Sequence, residues 1–158
     1  MSNDDPIAFF LTWVTYGTWL PGDARGWVEY QHGWKLPSSQ LETECESRIV
    51  EDAVRLNSVQ RTTVEDQINE TCQHRGWHLH AVNCRSNHVH AVVSARDTPP
   101  KKIRADLKAY ATRCLKTFDK SRDSWWAERG SIRWVYTDDE LETVMRYVTE
   151  GQDRKREV

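Results

Sequence analysis

Apolar and polar positions along this chain repeat with two different periods. Ile7 to Tyr16 (Ile-Ala-Phe-Phe-Leu-Thr-Trp-Val-Thr-Tyr) is dense in β-branched and aromatic residues and predicts a buried strand. Gly17 and Pro21-Gly22-Asp23 end it, and with Gly26 and Gly33 they predict a loop through residues 17–40. Leu41, Cys45, Ile49, Val50 and Val54 make a loose helical stripe among carboxylates over 41–56. Val64, Ile68 and Cys72, spaced by four, predict a helix from Val59 to Arg75 that Gly76 closes. Trp77 to Cys84 and His88 to Ser94 read as two strands, and Arg85-Ser86-Asn87 folds one back on the other as a hairpin.

After Thr98-Pro99-Pro100 the pattern becomes helical to Phe118, with Ile103, Leu107, Tyr110, Ala111, Cys114 and Leu115 on its apolar face. Ser131 to Tyr136 is a fourth strand. Thr137 with Glu140 three residues on is a capping box that starts the last helix, and Leu141, Val144, Met145 and Val148 are its core stripe. Tyr147 lies about 110° from the centre of that stripe, at about 100° per residue, so its phenol is expected outside the core.

The order strand, helix, strand, strand, helix, strand, helix, with a hairpin in the middle, predicts an α+β ferredoxin-like (RRM-like) fold. That is an antiparallel four-stranded sheet with helices packed on one face and a C-terminal helix. One domain is expected over residues 1–158, with 24–58 an inserted loop and helix segment.

Composition changes this picture little. The chain of 158 residues carries a net charge of only −2, which selects no partner, while its eight tryptophans enlarge the apolar area a small core can bury. No run is long and apolar enough to cross a membrane, and Met1 to Asp5 lacks the positive start of a signal peptide. A cytoplasmic protein with no membrane partner is the expectation. Cys45, Cys72, Cys84 and Cys114 have no Cys-x-x-Cys spacing and are expected as reduced, packed thiols. Positive charge gathers on one helix, at Lys101, Lys102, Arg104, Lys108, Arg113 and Lys116 against Asp106. Such a face is ordinarily a solvated one, but in a weakly acidic chain it is a candidate for a phosphate backbone.

The candidate chemistry lies in Asn87-His88-Val89-His90. Alternate residues of a strand share a face, so His88 and His90 stand roughly 6–7 Å apart at Cβ, and both rings reach one metal ion. Val89, Ala91 and Val93 then face a core. The upstream strand holds a second pair, His78 and His80, for which the same geometry is valid; spacing does not choose between them. Trp19, Trp27, Tyr30 and Trp34 in the long loop are candidates for stacking on bases or for covering the core.

Asn87-His88-Val89-His90 on the second strand of a central hairpin resembles the His-hydrophobic-His motif of the single-tyrosine transposases. These belong to small insertion sequences and to their relatives, the REP-associated tyrosine transposases. The family's tyrosine sits on a late helix, where this chain has Arg146-Tyr147-Val148-Thr149-Glu150-Gly151-Gln152. The opening Phe10 to Asp23, the Gln60-Arg61 helix start and Arg133-Trp134-Val135 are also similar to a branch of that family, so the likeness spans nearly the whole chain. It implies Mg²⁺ or Mn²⁺ held by His88 and His90, with Gln152 as third ligand and Tyr147 as nucleophile. The implied reaction cuts and rejoins single-stranded DNA, in part folded as a hairpin, through a 5′-phosphotyrosine, in a nucleoid-associated homodimer with no small-molecule substrate. Two departures stand out: Gln152 is five residues after Tyr147 where some members have four, and Arg85-Ser86 stands where Met-Pro is common. Tyr110, on the apolar stripe of the basic helix, is the rival nucleophile. Other classes open on the same residues are a related nicking-joining enzyme and a non-catalytic RRM-like nucleic-acid-binding module.

Overall fold

A computed structural model describes residues 5–18, 52–128 and 130–151, and the backbone of 27–29 and 33–35. Its first strand, β1 (Ala8–Val14), forms where the opening apolar run was expected. A short pair follows, β2 (Trp27–Glu29) and β3 (Gly33–Lys35), antiparallel to each other in a sheet of their own. The loop expected over 17–40 therefore contains a small hairpin, built from Trp-Val and Gly-Trp dipeptides that the glycine punctuation masks. Trp19 and Tyr30 lie outside the described residues, as do positions 41–51 of the helix expected over 41–56.

Over the remainder of that expected helix, 52–56, no helix forms. Val54 and Leu56 are buried at a spacing of two, and their amides donate to the carbonyls of Tyr16 (2.8 Å) and Ser86 (2.7 Å). A spacing of two suits an extended strap better than a helical turn. Next comes α1 (Ser58–Arg75), begun by a capping box. Asn57 Oδ1 accepts from the Gln60 amide at 2.8 Å, and Gln60 Oε1 accepts from the Asn57 amide at 2.9 Å. Gly76 ends α1 in the left-handed region at φ 74°, where a side chain would be strained.

The central hairpin is β4 (His78–Cys84) and β5 (His88–Ser94). Helix α2 (Pro100–Leu115) starts with proline in its first turn and ends three residues before the expected Phe118, through turns at Lys116 to Phe118. Strand β6 (Ser131–Val135) leads into α3 (Asp138–Arg146), which continues as a π-helical turn, Tyr147–Gly151. Thr137 Oγ1 accepts from the Glu140 amide as expected, but Glu140 reaches one residue further back, to the Tyr136 amide at 3.1 Å.

The main sheet has the order β4-β5-β1-β6 with every neighbour antiparallel, the ferredoxin-like arrangement. Its two faces carry separate cores. On one, Phe9, Leu11 and Trp13 of β1 and Val89, Ala91 and Val93 of β5 pack with Val64, Ile68, Ile103, Leu107 and Leu115 of α1 and α2. Each fully buried aliphatic side chain there contributes about 1.5–3 kcal/mol of transfer free energy. On the other face, Ala8, Ala81, Val92 and Val135 pack under Val144 and Val148 of α3 and its turn. Central strand β5 is thus buried on both sides, and α3 covers the face that α1 and α2 leave. Cys72 and Cys84 are packed thiols, with burial pushing their pKa to about 11 and about 12.

Candidate active site

Strand alternation decides where the two histidines point. Val89, Ala91 and Val93 occupy the α1–α2 face, so His88, His90 and Val92 occupy the face under α3. The imidazole rings of His88 and His90 lie edge to face, their centroids 4.7 Å apart, and both residues are almost fully buried, at 5% and 6% exposure. Each ring is held through Nδ1. His88 Nδ1 meets Asn87 Oδ1 at 2.7 Å, and His90 Nδ1 meets Thr12 Oγ1 at 2.8 Å. A carboxamide oxygen only accepts, so His88 Nδ1 donates and the ring's lone pair is on Nε2. The Asn87 carbonyl in turn accepts from the amide of Thr15 (2.9 Å) and its hydroxyl (3.2 Å), which pins the residue beside β1. Two rings oriented by polar partners at Nδ1 form the donor arrangement that suits a divalent ion.

Tyr147 opens the π-helical turn and is 47% exposed. Its ring centroid is 5.7 Å from that of His90 and 6.0 Å from that of Phe10, which itself stands 5.3 Å from His90. The helix thus brings the late tyrosine onto the histidine pair of its own chain. Val148, the next residue, is fully buried, and its carbonyl accepts from Asn83 Nδ2 at 2.8 Å. Among the described residues, no group of three or more His, Cys, Asp and Glu converges on one point. Gln152 lies outside them.

The other candidates fall elsewhere. His78 and His80 have ring centroids 4.3 Å apart where β4 starts, beside a β-bulge between Leu79 and Ala81. Ser94 Oγ gives its proton to the Ile7 carbonyl, so His80 Nε2 is the donor in its 2.6 Å bond to Ser94 Oγ. Burial, and then the neighbouring His78, hold the His80 pKa below the usual histidine range. Tyr110 is half-buried, its hydroxyl 3.3 Å from Arg75 Nη2 and its ring 4.8 Å from the Arg113 guanidinium carbon.

The basic helix α2 packs on the sheet face opposite the histidine pair. Lys101 and Lys116 are exposed, Lys102 is paired with Asp106 at 2.9 Å, and Arg104 is half-buried. Lys108 turns inward to donate to the Ala127 carbonyl at 2.9 Å. Burial first, then Arg104, push its pKa down to about 8, with Glu128 opposing.

Thr12, Phe10, Asn83 and the role of the Asn87 side chain escaped the sequence reading. Asn87 adjoins His88 in the chain and could have been found; the others meet the site only through strand register, Thr12 and Asn83 being the two partners of His90.

The site therefore joins a ferredoxin-like sheet, two oriented histidines on its central strand and a tyrosine from a following helix over them. The family model described as "Transposase IS200 like" matches residues 50–151, and the chain belongs to that family. Solved structures share the fold. A REP-associated tyrosine transposase bound to a REP hairpin matches with TM-score 0.60 and 11% identity over 100% of this chain and 73% of that one. A proposed transposase from Deinococcus radiodurans R1 matches with TM-score 0.52 and 13% identity over 90% of this chain and 88% of that one. No curated protein matches the chain in sequence.

Proposed function

We propose that this transposase-family chain cleaves and rejoins single-stranded DNA with Tyr147 as the nucleophile. The observation that carries this is the Tyr147 ring standing 5.7 Å from His90 on the face where both histidines are held through Nδ1. Tyr147 Oη would form a bond to the scissile phosphorus as its proton leaves and the 3′ oxygen departs, giving a 5′-phosphotyrosine and a 3′-OH. A phenol with pKa near 10 is also a fair leaving group, so the 3′-OH of another strand can reverse the step without hydrolysis or ATP.

His88 and His90 would hold Mg²⁺ or Mn²⁺ through Nε2. When bound, such an ion polarises the phosphodiester and offsets the charge that develops on it. Gln152 is the proposed third, amide ligand. Exposed Lys101, Lys102, Arg113 and Lys116, with half-buried Arg104 and Lys108, are proposed to meet DNA backbone on the far face of the sheet. A hairpin-bearing single strand is the substrate class, with the hairpin-bound relative as support, and a homodimer is the proposed assembly.

The test uses Mn²⁺ and 5′- or 3′-labelled single-stranded oligonucleotides spanning the ends of the chain's own locus. A denaturing gel resolves covalent adducts, and Tyr147→Phe and His88→Ala run beside the wild type. An adduct on the 5′ side of the cut that both substitutions abolish is expected. An adduct that survives Tyr147→Phe would move the nucleophile to another tyrosine, and tight metal-independent binding with no adduct would mark a binding module instead.

A further inference from the structure

Asparagine is a poor strand former, and Asn83 sits inside β4 on the face that meets α3's turn. In the register of the hairpin it stands opposite His90, and cross-strand partners share a face. Its side-chain amide donates to the carbonyl of Val148 at 2.8 Å. In an uninterrupted α-helix that carbonyl accepts from the amide four residues on. Here a side chain of the sheet donates to it, and Val148 lies within the π-helical turn Tyr147–Gly151. The Val148 side chain is fully buried in the second core, so the turn is fixed at two places, by packing and by one hydrogen bond.

Resting on the reading of Tyr147 as nucleophile, we infer that Asn83 is a positioning residue that latches the tyrosine-bearing turn over the histidine pair. His90 has Thr12 as its partner on one side and Asn83 on the other. Thr12 orients the imidazole through Nδ1, and Asn83 holds the residue next to Tyr147. One row across three strands thereby sets the nucleophile and a metal-binding ring to a common ruler. The requirement is for a donor: a carboxylate at this position would face the carbonyl with lone pairs, and an aliphatic side chain of the same size would leave the carbonyl without this bond.

The experiment compares full-length wild type, Asn83→Leu, Asn83→Asp and Asn83→Gln. Two readouts are taken: single-turnover adduct formation at saturating oligonucleotide and Mn²⁺, and proton cross-peaks from the labelled Tyr147 ring to the rings of His90 and Phe10. The expected result is a rate lower by about 100-fold in Asn83→Leu and Asn83→Asp, as a displacement of about 1 Å produces. Oligonucleotide and Mn²⁺ affinities stay within twofold, the cross-peaks are lost, and Asn83→Gln recovers part of both. Wild-type rate and retained cross-peaks in Asn83→Leu would overturn the latch, as would equal losses in Asn83→Gln and Asn83→Leu. If the wild type itself forms no adduct, the strand-transfer reading fails, and the cross-peaks still decide the latch.

Discussion

At the scale of single residues, the histidine pair is oriented by neighbouring polar side chains. Asn87 and Thr12 each hold one histidine through Nδ1, and supporting bonds of this kind commonly alter metal affinity by 10–100-fold. Thr12→Val keeps the shape and removes the hydroxyl. Its Mn²⁺ affinity in calorimetry is expected to fall about 10–100-fold, with Asn87→Ala behaving alike. An unchanged affinity in both would show that the rings are oriented by packing alone. Tyr147→Phe removes a hydroxyl from a half-exposed ring, so its stability should stay within about 0.5 kcal/mol of wild type in urea unfolding.

At the scale of elements, the chain entering β6 comes very close to β1 at Gly130. A Cβ on Gly130 would overlap the carbonyl oxygen of Thr12 and stand 3.1 Å from Cβ of Trp13. The obstacle is backbone, which cannot rotate away as a side chain would. Gly130→Ala is therefore expected to cost about 1–3 kcal/mol in urea unfolding, and to weaken Mn²⁺ binding as well, because Thr12 carries the bond to His90. Loss of stability with unchanged Mn²⁺ affinity would show that β1 shifts without disturbing that bond. The π-helical turn belongs to this scale too: it is anchored by Val148 in the core and by the Asn83 amide at the Val148 carbonyl.

At the scale of the whole molecule, the sheet separates the proposed chemistry from the basic helix. DNA that met both would have to pass around a sheet edge. Replacing exposed Lys101 and Lys116 with glutamine should lower the slope of log affinity against log salt by roughly 0.7 per contact for a single strand, measured by anisotropy in a potassium chloride series. An unaltered slope would remove α2 from the DNA path. Lys108 gives a separate, pH-dependent signature. Its folded pKa of about 8 lies below the unfolded 10.5, so between those values the unfolded chain binds the extra proton and stability rises with pH. Below about 8 the full cost of burying the charge is present. Lys108→Met should lack that slope, so the variant's stability relative to wild type is expected to decline from pH 8 to 10.5 in unfolding titrations. A constant difference would mean Lys108 is solvated in the folded state.

Local periodicity by itself determined a good deal. A two-residue repeat placed His88 and His90 on one side of a strand and Val89, Ala91 and Val93 on the other, and a helical repeat put Tyr147 outside the Val144–Val148 stripe. Helix ends at Gly76 and Thr137 were legible because capping chemistry involves only neighbours in the chain. What only the tertiary structure decided was everything set by register and docking: that Thr12 and Asn83 flank His90, that α3 and α2 take opposite faces, that no helix forms over 52–56 and that Tyr147 stands on its own chain's histidines. Those relations rest on hydrogen bonds and packing between residues far apart in the chain, 78 positions for Thr12 and His90, and no pattern within one segment encodes them.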